Sequence, residues 1–354
     1  MEASVKSRLE SVQFEEPQIY KNIVIVPLIA RADGTVRYHT LGEALATKDL
    51  TINEVSQSGS VPDLMVTNRG NESVLLIDGE ELAGAKQNRV LNTSILLKEL
   101  CETKIPVSCT EQGRWSYTSK FFSDSGNIMA YKTRARKTSS VHSCLQSLGH
   151  YGSDQGEVWA NISELQSKAG AHSPTSAMSD VYQARAEDLR KCSETFKPVP
   201  NQVGLVAFIS GVPAGADIVS RAAAYAQLHP KLVRSYALEG LLESSSASQP
   251  ATSSPPVTEA SAFTGQARQF LVEIAAAEER QFPSIGHGTD FRYRTPAVPS
   301  TTGTQRSSIC GTALVHQNEV IHAAFYRLDE PATVHSPSPP KMPTNRSWWH
   351  RFTR

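Results

Sequence analysis

The chain has 354 residues with 35 Lys+Arg against 35 Asp+Glu, so its formal net charge is zero. A protein that binds nucleic acid by neutralising phosphates carries a basic excess, which this sequence lacks. With 39% hydrophobic and 20% charged residues, its composition is that of a globular protein able to build a core without disulfides or metals.

The first residues, 1–16, mix acids, bases and serines and read as a loose leader with no apolar secretory segment. Ile23–Ala30 is β-branched and apolar, the pattern of a buried strand, and too short to span a bilayer. Thr40 and Glu43 have capping-box spacing, which places a short helix over 41–48. Leu50–Val55 alternates as a half-buried strand does. The region 63–118 is the best-patterned β segment, with strands expected over 63–67, 73–77, 90–97 and 104–108. The Asn68–Asn71 stretch and Asp78-Gly79 supply turn chemistry.

Helices follow. Asp154 caps one that ends at Gly170, with Val158, Ile162 and Leu165 on one face. Ser173-Pro174 reads as the start of a second helix running to about Lys191. Residues 204–219 read as a strand, turn and strand, followed by one helix from about Ser220 and another over 231–242. Residues 244–261 are Ser/Pro/Thr/Ala-rich and nearly uncharged, the composition of a flexible insert. A helix over 265–280 and a hairpin over 312–325 complete the folded part. Residues 331–354 form a Pro-rich basic tail. These elements predict an α+β fold: one large domain over 17–330, an antiparallel β-rich first half, and helices packed over it. Strand order does not follow from the pattern.

The five cysteines are odd in number and lack any C-x-x-C pair, which fits free thiols in a cytoplasmic protein. No G-x-G-x-x-G, G-x-x-x-x-G-K-[ST], H-E-x-x-H or G-x-S-x-G is present, so the Rossmann, P-loop, zincin and α/β-hydrolase readings lack their motifs.

Two polar clusters could carry chemistry. The first runs from Asp78 to Arg89 between predicted strands and holds Glu80, Glu81, Lys86, Gln87, Asn88 and Arg89. Adjacent carboxylates serve acid–base work where burial or a neighbour shifts a pKa, and the cations suit phosphate or carboxylate. The second is Cys109 to Trp115, with Glu111, Arg114 and a tryptophan able to stack on a base or sugar. The competing readings are a solvated loop with local ion pairs for the first cluster and a core tryptophan beside a surface ion pair for the second. His287 and His322 are further isolated candidates.

The run Asp78-Gly-Glu-Glu-Leu-Ala-Gly-Ala-Lys-Gln-Asn-Arg-Val-Leu-Asn-Thr93 and the run Ile105-Pro-Val-Ser-Cys-Thr-Glu-Gln-Gly-Arg-Trp115 resemble the ARG and Rhodanese-Phosphatase-superfamily-associated protein domain family. The likeness continues through Asp154-Gln155, Trp159, Ser173-Pro-Thr175, Arg234–Leu238 and Val320–Phe325, over roughly residues 17–327. The family's name implies a link to ADP-ribosylglycohydrolases, hence to ADP-ribose or NAD-derived metabolism, and no assigned catalytic residues carry over. Three expectations follow. The first is an enzyme or processing factor acting on an ADP-ribose-like ligand. Glu80, Glu81 and Glu111 would do acid–base work, Lys86, Gln87, Asn88, Arg89 and Arg114 would hold the ligand, and Trp115 would stack. The second is a binding or scaffold module without turnover. The third is a metal-dependent hydrolase built on the same acids and a histidine. The first expects a small-molecule partner, and neither nucleic acid nor membrane, with no cofactor.

Overall fold

A computed structural model describes residues 1–246, 257–299 and 305–331. The fold is α+β, with strands that pair antiparallel, as the alternating segments predict, in all but one of the described pairs. The largest sheet among the described residues has ten strands. Its main path runs Gln13–Phe14, Ile23–Ile29, Gln202–Ile209, Val212–Val219, Glu319–Pro331, Gln305–His316, Thr289–Arg294 and Glu278–Pro283. Every residue of Ile23–Ile29 is buried because both faces of the sheet are covered. Ile23 and Ile25 enter one core with residues of the helices Tyr131–Leu148, Gln155–Ala169 and Ala222–Ser246. Val24, Val26 and Leu28 enter a second core, under the helices Ala3–Ser11 and Val257–Ala275. The period-two alternation of side chains thus distributes one apolar run between two cores.

Residues 38–128 build the second layer system. A six-stranded antiparallel sheet runs Phe122–Ile128, Glu80–Gly84, Arg89–Leu91, Cys101–Cys109, Asp63–Asn68 and Leu50–Glu54. A three-stranded sheet joins Ile95–Leu97, Ser73–Leu76 and Tyr38–Thr40, the last two strands being parallel. A third core, including Leu41, Leu64, Leu76 and Leu91, draws on both sheets. The helix Leu41–Ala46 forms with the expected capping box: Glu43 N–H donates to Thr40 Oγ1, and Thr40 N–H donates to the Glu43 carboxylate at 2.8 Å. The late hairpin turns at Gln317-Asn318, both with positive φ (51° and 61°), as a two-residue turn requires.

Several expectations are corrected. Residues 1–16 are no loose leader: Val5 and Leu9 of the helix Ala3–Ser11 are buried in the second core, and Gln13–Phe14 joins the large sheet. The helix expected from Ser173 starts at Met178 and is interrupted at Arg185, giving Met178–Ala184 and Ala186–Thr195. Ser173 Oγ accepts the Ala177 N–H at 2.8 Å and donates to Asp180, so its capping chemistry closes the turn before the helix. The two helices expected over 220–242 are one, Ala222–Ser246, which carries Pro230 inside. The segment 244–261 begins and ends in helix, and 247–256 lies outside the described residues, as do 332–354 of the expected tail. No described helix is long and apolar enough to cross a membrane.

Candidate functional site

The first polar cluster is not a loop between strands. It is a hairpin, Glu80–Gly84 against Arg89–Leu91, with Glu81 opposite Val90 and Leu82 opposite Arg89. Glu80, Glu81 and Arg89 are fully buried, and Lys86, Gln87 and Asn88 nearly so. The chain turns at Gly84 (φ 121°) and Ala85 (φ 41°). A Cβ on Gly84 would meet Ser119 Oγ at 2.4 Å and Phe121 O at 3.0 Å, so the turn needs glycine for both conformation and space.

The second cluster meets this turn. Asn88 N–H donates to Glu111 Oε2 at 3.2 Å, and the Gln87 side-chain amide donates to Glu111 O. Arg114 donates to Glu111 Oε2 at 2.6 Å, to Asn88 Oδ1 at 3.1 Å and to Ala85 O at 2.7 Å. Thr175 Oγ1 donates to Glu111 Oε1 at 2.8 Å. Burial pushes the Glu111 carboxyl up, but the bonds from Arg114, Thr175 and the Asn88 amide override it and hold the carboxyl below its ordinary value. The turn residues 86–88 thus meet Glu111 and Arg114 through direct hydrogen bonds. Glu111 stands there as a positioned anion.

The acidic pair separates into two environments. Glu80 accepts the Ile77 N–H at 2.9 Å and pairs with Lys231 at 2.8 Å, which also reaches Asp124 at 2.5 Å. That carboxylate is occupied by a clamp between the hairpin and the helix Ala222–Ser246. Glu81 has no cationic partner among the described residues. It accepts from Thr110 Oγ1 at 2.9 Å and Asn127 Nδ2 at 3.5 Å. Burial pushes its carboxyl up to about 7, with the charge on Glu111 adding to the rise. A carboxyl raised in this way is suited to proton transfer near neutrality.

The cations gather around Trp115. Lys86 Nζ and the Arg89 guanidinium each lie 5.4 Å from the Trp115 ring, and Lys86 Nζ lies 5.1 Å from the Tyr117 ring. Lys86 Nζ donates to Ser58 O at 2.8 Å, and Tyr117 OH donates to Gln57 O at 3.4 Å, so residues 57–58 close over the turn. Arg89 Nη1 donates to Gln87 Oε1 at 2.7 Å, but Arg89 Nε and Nη2 are buried with no hydrogen-bond partner. Glu54 Oε2, near Trp115 and Lys86 across Gly59, is likewise buried and unpartnered. Burial raises the Cys109 thiol to about 11, which leaves it a poor nucleophile.

Sequence reasoning missed a second, wholly buried network. Asp78 is joined by Arg134 Nε at 3.2 Å, by Lys137 Nζ and by Thr138 Oγ1 at 3.3 Å. Arg134 Nη2 lies 2.9 Å from Asp217, which accepts from Tyr236 OH at 2.7 Å. His322 belongs here and not to the hairpin turn: its Nδ1 shares a 2.7 Å hydrogen bond with Ser94 Oγ, and its Nε2 stands 3.4 Å from Asp217. Beside it, Asp290 pairs with Arg292 and accepts from Thr93 Oγ1 at 2.7 Å. The detectable signal was the basic spacing of Arg134 and Lys137 along one helix face. His287 sits elsewhere, 3.2 Å from Glu99 and stacked on His316. Among the described residues no three His, Cys, Asp or Glu side chains gather as metal ligands would, so Glu80, Glu81 and Glu111 do not assemble with a histidine into such a donor set.

Residues 11–326 match the family described as ARG and Rhodanese-Phosphatase-superfamily-associated Protein domain, ARPP-1, and the chain belongs to it. No curated protein and no solved structure matches the chain.

Proposed function

We propose that the protein binds and acts on a small phosphorylated ligand of the ADP-ribose or NAD-derived kind at the hairpin turn. Phosphate would be taken by Arg89 and Lys86, with Arg114, Gln87 and Asn88 holding the turn in shape. Trp115 would supply the face on which a base or ribose stacks, and Glu81 the proton transfer. The observation that carries this reading is Arg89: a guanidinium sealed from water with Nε and Nη2 unpartnered, stacked beside a second cation on one indole. Buried donors without acceptors cost about 1–3 kcal/mol each. A phosphate or carboxylate oxygen delivered on opening of residues 57–58 would offset that cost. The family's association with an ARG superfamily agrees with the ligand class.

Glu80 and Glu111 favour a second reading, binding without turnover, because both carboxylates are engaged by fixed partners. Calorimetry with ADP-ribose and with NAD tests the ligand class. Binding should be lost in Arg89→Gln and weakened in Trp115→Ala. If pure wild-type protein binds neither compound, the ligand assignment fails. If Glu81→Gln binds and processes the ligand as the wild type does, the acid–base role fails and the binding reading stands.

A further inference from the structure

Glu54 ends the strand Leu50–Glu54, which lies at the edge of the six-stranded sheet. Alternation puts Leu50, Ile52 and Glu54 on the buried face of that strand, and the first two enter the third core. A carboxylate therefore stands where the pattern calls for an apolar side chain. Glu54 is 5% exposed. Its Oε1 accepts the Lys86 N–H at 3.4 Å, and its Oε2 has no hydrogen-bond partner among the described residues. Burying such an oxygen without a donor is costly.

The surroundings say where a donor would sit. A Cβ on Gly59 would lie 3.2 Å from Trp115 Cζ2, 3.3 Å from Lys86 Cδ and 3.4 Å from Glu54 Oε2. One point held by the Gly59 backbone thus meets the indole edge, the lysine stem and the orphan oxygen together. Arg89 shares this neighbourhood: behind the larger effect of burial, Arg89 lowers the Cys109 thiol and Glu54 raises it. The site carries two complementary orphans, buried donors at Arg89 Nε and Nη2 and a buried acceptor at Glu54 Oε2. A bare phosphate satisfies the first and is repelled by the second.

We propose that Glu54 selects the sugar of the ligand, an inference that rests on the ligand reading above. Glu54 Oε2 accepts a hydroxyl of the ribose diol of the nucleoside stacked on Trp115, in the place that Gly59 holds. Lys86 Nζ, which ties down Ser58 O at 2.8 Å, is also the cation assigned to phosphate, so a ligand that takes Lys86 releases residues 57–58 and frees that place. A phosphate on the same diol would set a dianion against the carboxylate, so the site rejects it.

Calorimetry with NAD and with NADP, which carries a phosphate on that diol, tests this on the full chain. Wild type should prefer NAD at least about tenfold, the worth of one charge-assisted bond. Glu54→Gln should bring the two affinities toward equality. Glu54→Leu, which restores the apolar pattern of the strand, should bind NAD at least about tenfold more weakly and melt no lower than wild type. Equal binding of NAD and NADP by wild type, or an unchanged preference in Glu54→Gln, refutes the role of Glu54 and leaves the ligand site standing. A lower melting temperature in Glu54→Leu marks the carboxylate as structural and overturns the role as well. If wild type binds neither compound, the ligand reading itself falls, and this inference with it.

Discussion

Replacing Arg134 by methionine tests whether the buried network holds the layers together. The guanidinium is fully buried and serves two fully buried carboxylates, Asp78 at 3.2 Å and Asp217 at 2.9 Å, and stacks 5.2 Å from the Tyr326 ring. Methionine fills much of the volume but leaves Asp78 with Lys137 and Thr138 alone, and Asp217 with Tyr236 and His322. Deleting one partner of a buried ion pair costs about 3–5 kcal/mol. Two stranded carboxylates put this variant at the upper end, a large share of the roughly 5–15 kcal/mol that holds a domain folded. Urea unfolding at neutral pH should show the midpoint displaced with the slope unchanged. A pH series adds a second reading. Burial raises the Asp217 carboxyl, but Arg134, with His322 and Tyr236, overrides it and holds it at about 2, against 3.8 ordinarily. A depressed acid contributes stability above its unfolded value and loses it as pH falls toward the folded value, so about 2 kcal/mol should disappear between pH 4 and 2. The variant should lack most of that acid limb. A loss below about 1 kcal/mol at neutral pH, the worth of an exposed pair, would refute the reasoning.

Three further outcomes are expected. Burial raises Glu81 to about 7 from 4.5, so the stability it contributes is complete below pH 4.5 and lost as pH rises through 7, up to about 3 kcal/mol. Because burial lifts Glu239 to the same value, Glu81→Gln should roughly halve the fall in melting temperature between pH 4.5 and 8, and an unchanged fall would contradict the assignment. Gly79→Ala places a Cβ 3.0 Å from Arg134 Cδ at φ 82° and should cost about 1–2 kcal/mol. It should cost more than Gly126→Ala, where φ is 76° but nothing lies within 4 Å, and equal losses in urea would mean that Arg134 moves aside freely. Asp154→Ala removes the acceptor of the Glu157 N–H at 3.0 Å and should cost about 1 kcal/mol in the same assay.

Where water decides the pattern, the sequence was readable. Ile23–Ile29, the capped helix from Asp154 to Gly170 and the hairpins expected over 204–219 and 312–325, which extend over 202–219 and 305–331, each show an apolar period or a cap that local chemistry explains. Where partners distant in sequence decide it, the pattern misleads. Glu80 and Glu81 are consecutive, charged and fully buried, which no alternation rule reads as a strand. Glu80 is paid for by Lys231, 151 residues away. The helix Tyr131–Leu148 escaped notice because its buried face carries Arg134, Lys137 and Thr138 beside Ala135 and Val141, so its period is not apolar. A helix continues through Pro230, so the two expected over 220–242 are one. The leader misled for the opposite reason. Its apolar residues are few, but Val5, Leu9 and Val12 all fall on the face that the second core covers.

The segment from Asp78 to Ser94 shows why so polar a run can be so distinctive, and what its packing leaves unexplained. It begins in the buried network at Asp78 and passes to the Lys231 clamp at Glu80. It then forms the turn at 85–88 and returns to the network at Thr93 and Ser94, whose hydroxyls reach Asp290 and His322. Asn92 Nδ2 donates to Tyr151 O at 2.9 Å, and Asn92 Oδ1 accepts from Ser108 Oγ at 2.6 Å. The matching residues outside the segment answer it. Gln155 brackets the Cys109 backbone through both ends of its amide, and Thr175 closes on Glu111. Nearly every polar side chain of the run thus has a structural partner, and Gly79 and Gly84 have conformational ones. Structural obligation explains all of these residues without any ligand. It does not explain Arg89, which spends one nitrogen on Gln87 and keeps Nε and Nη2 buried and unpartnered over Trp115. A methionine or leucine would fill that space without the cost of burying a charge. The case for function therefore narrows from the whole polar run to one guanidinium and the indole beneath it.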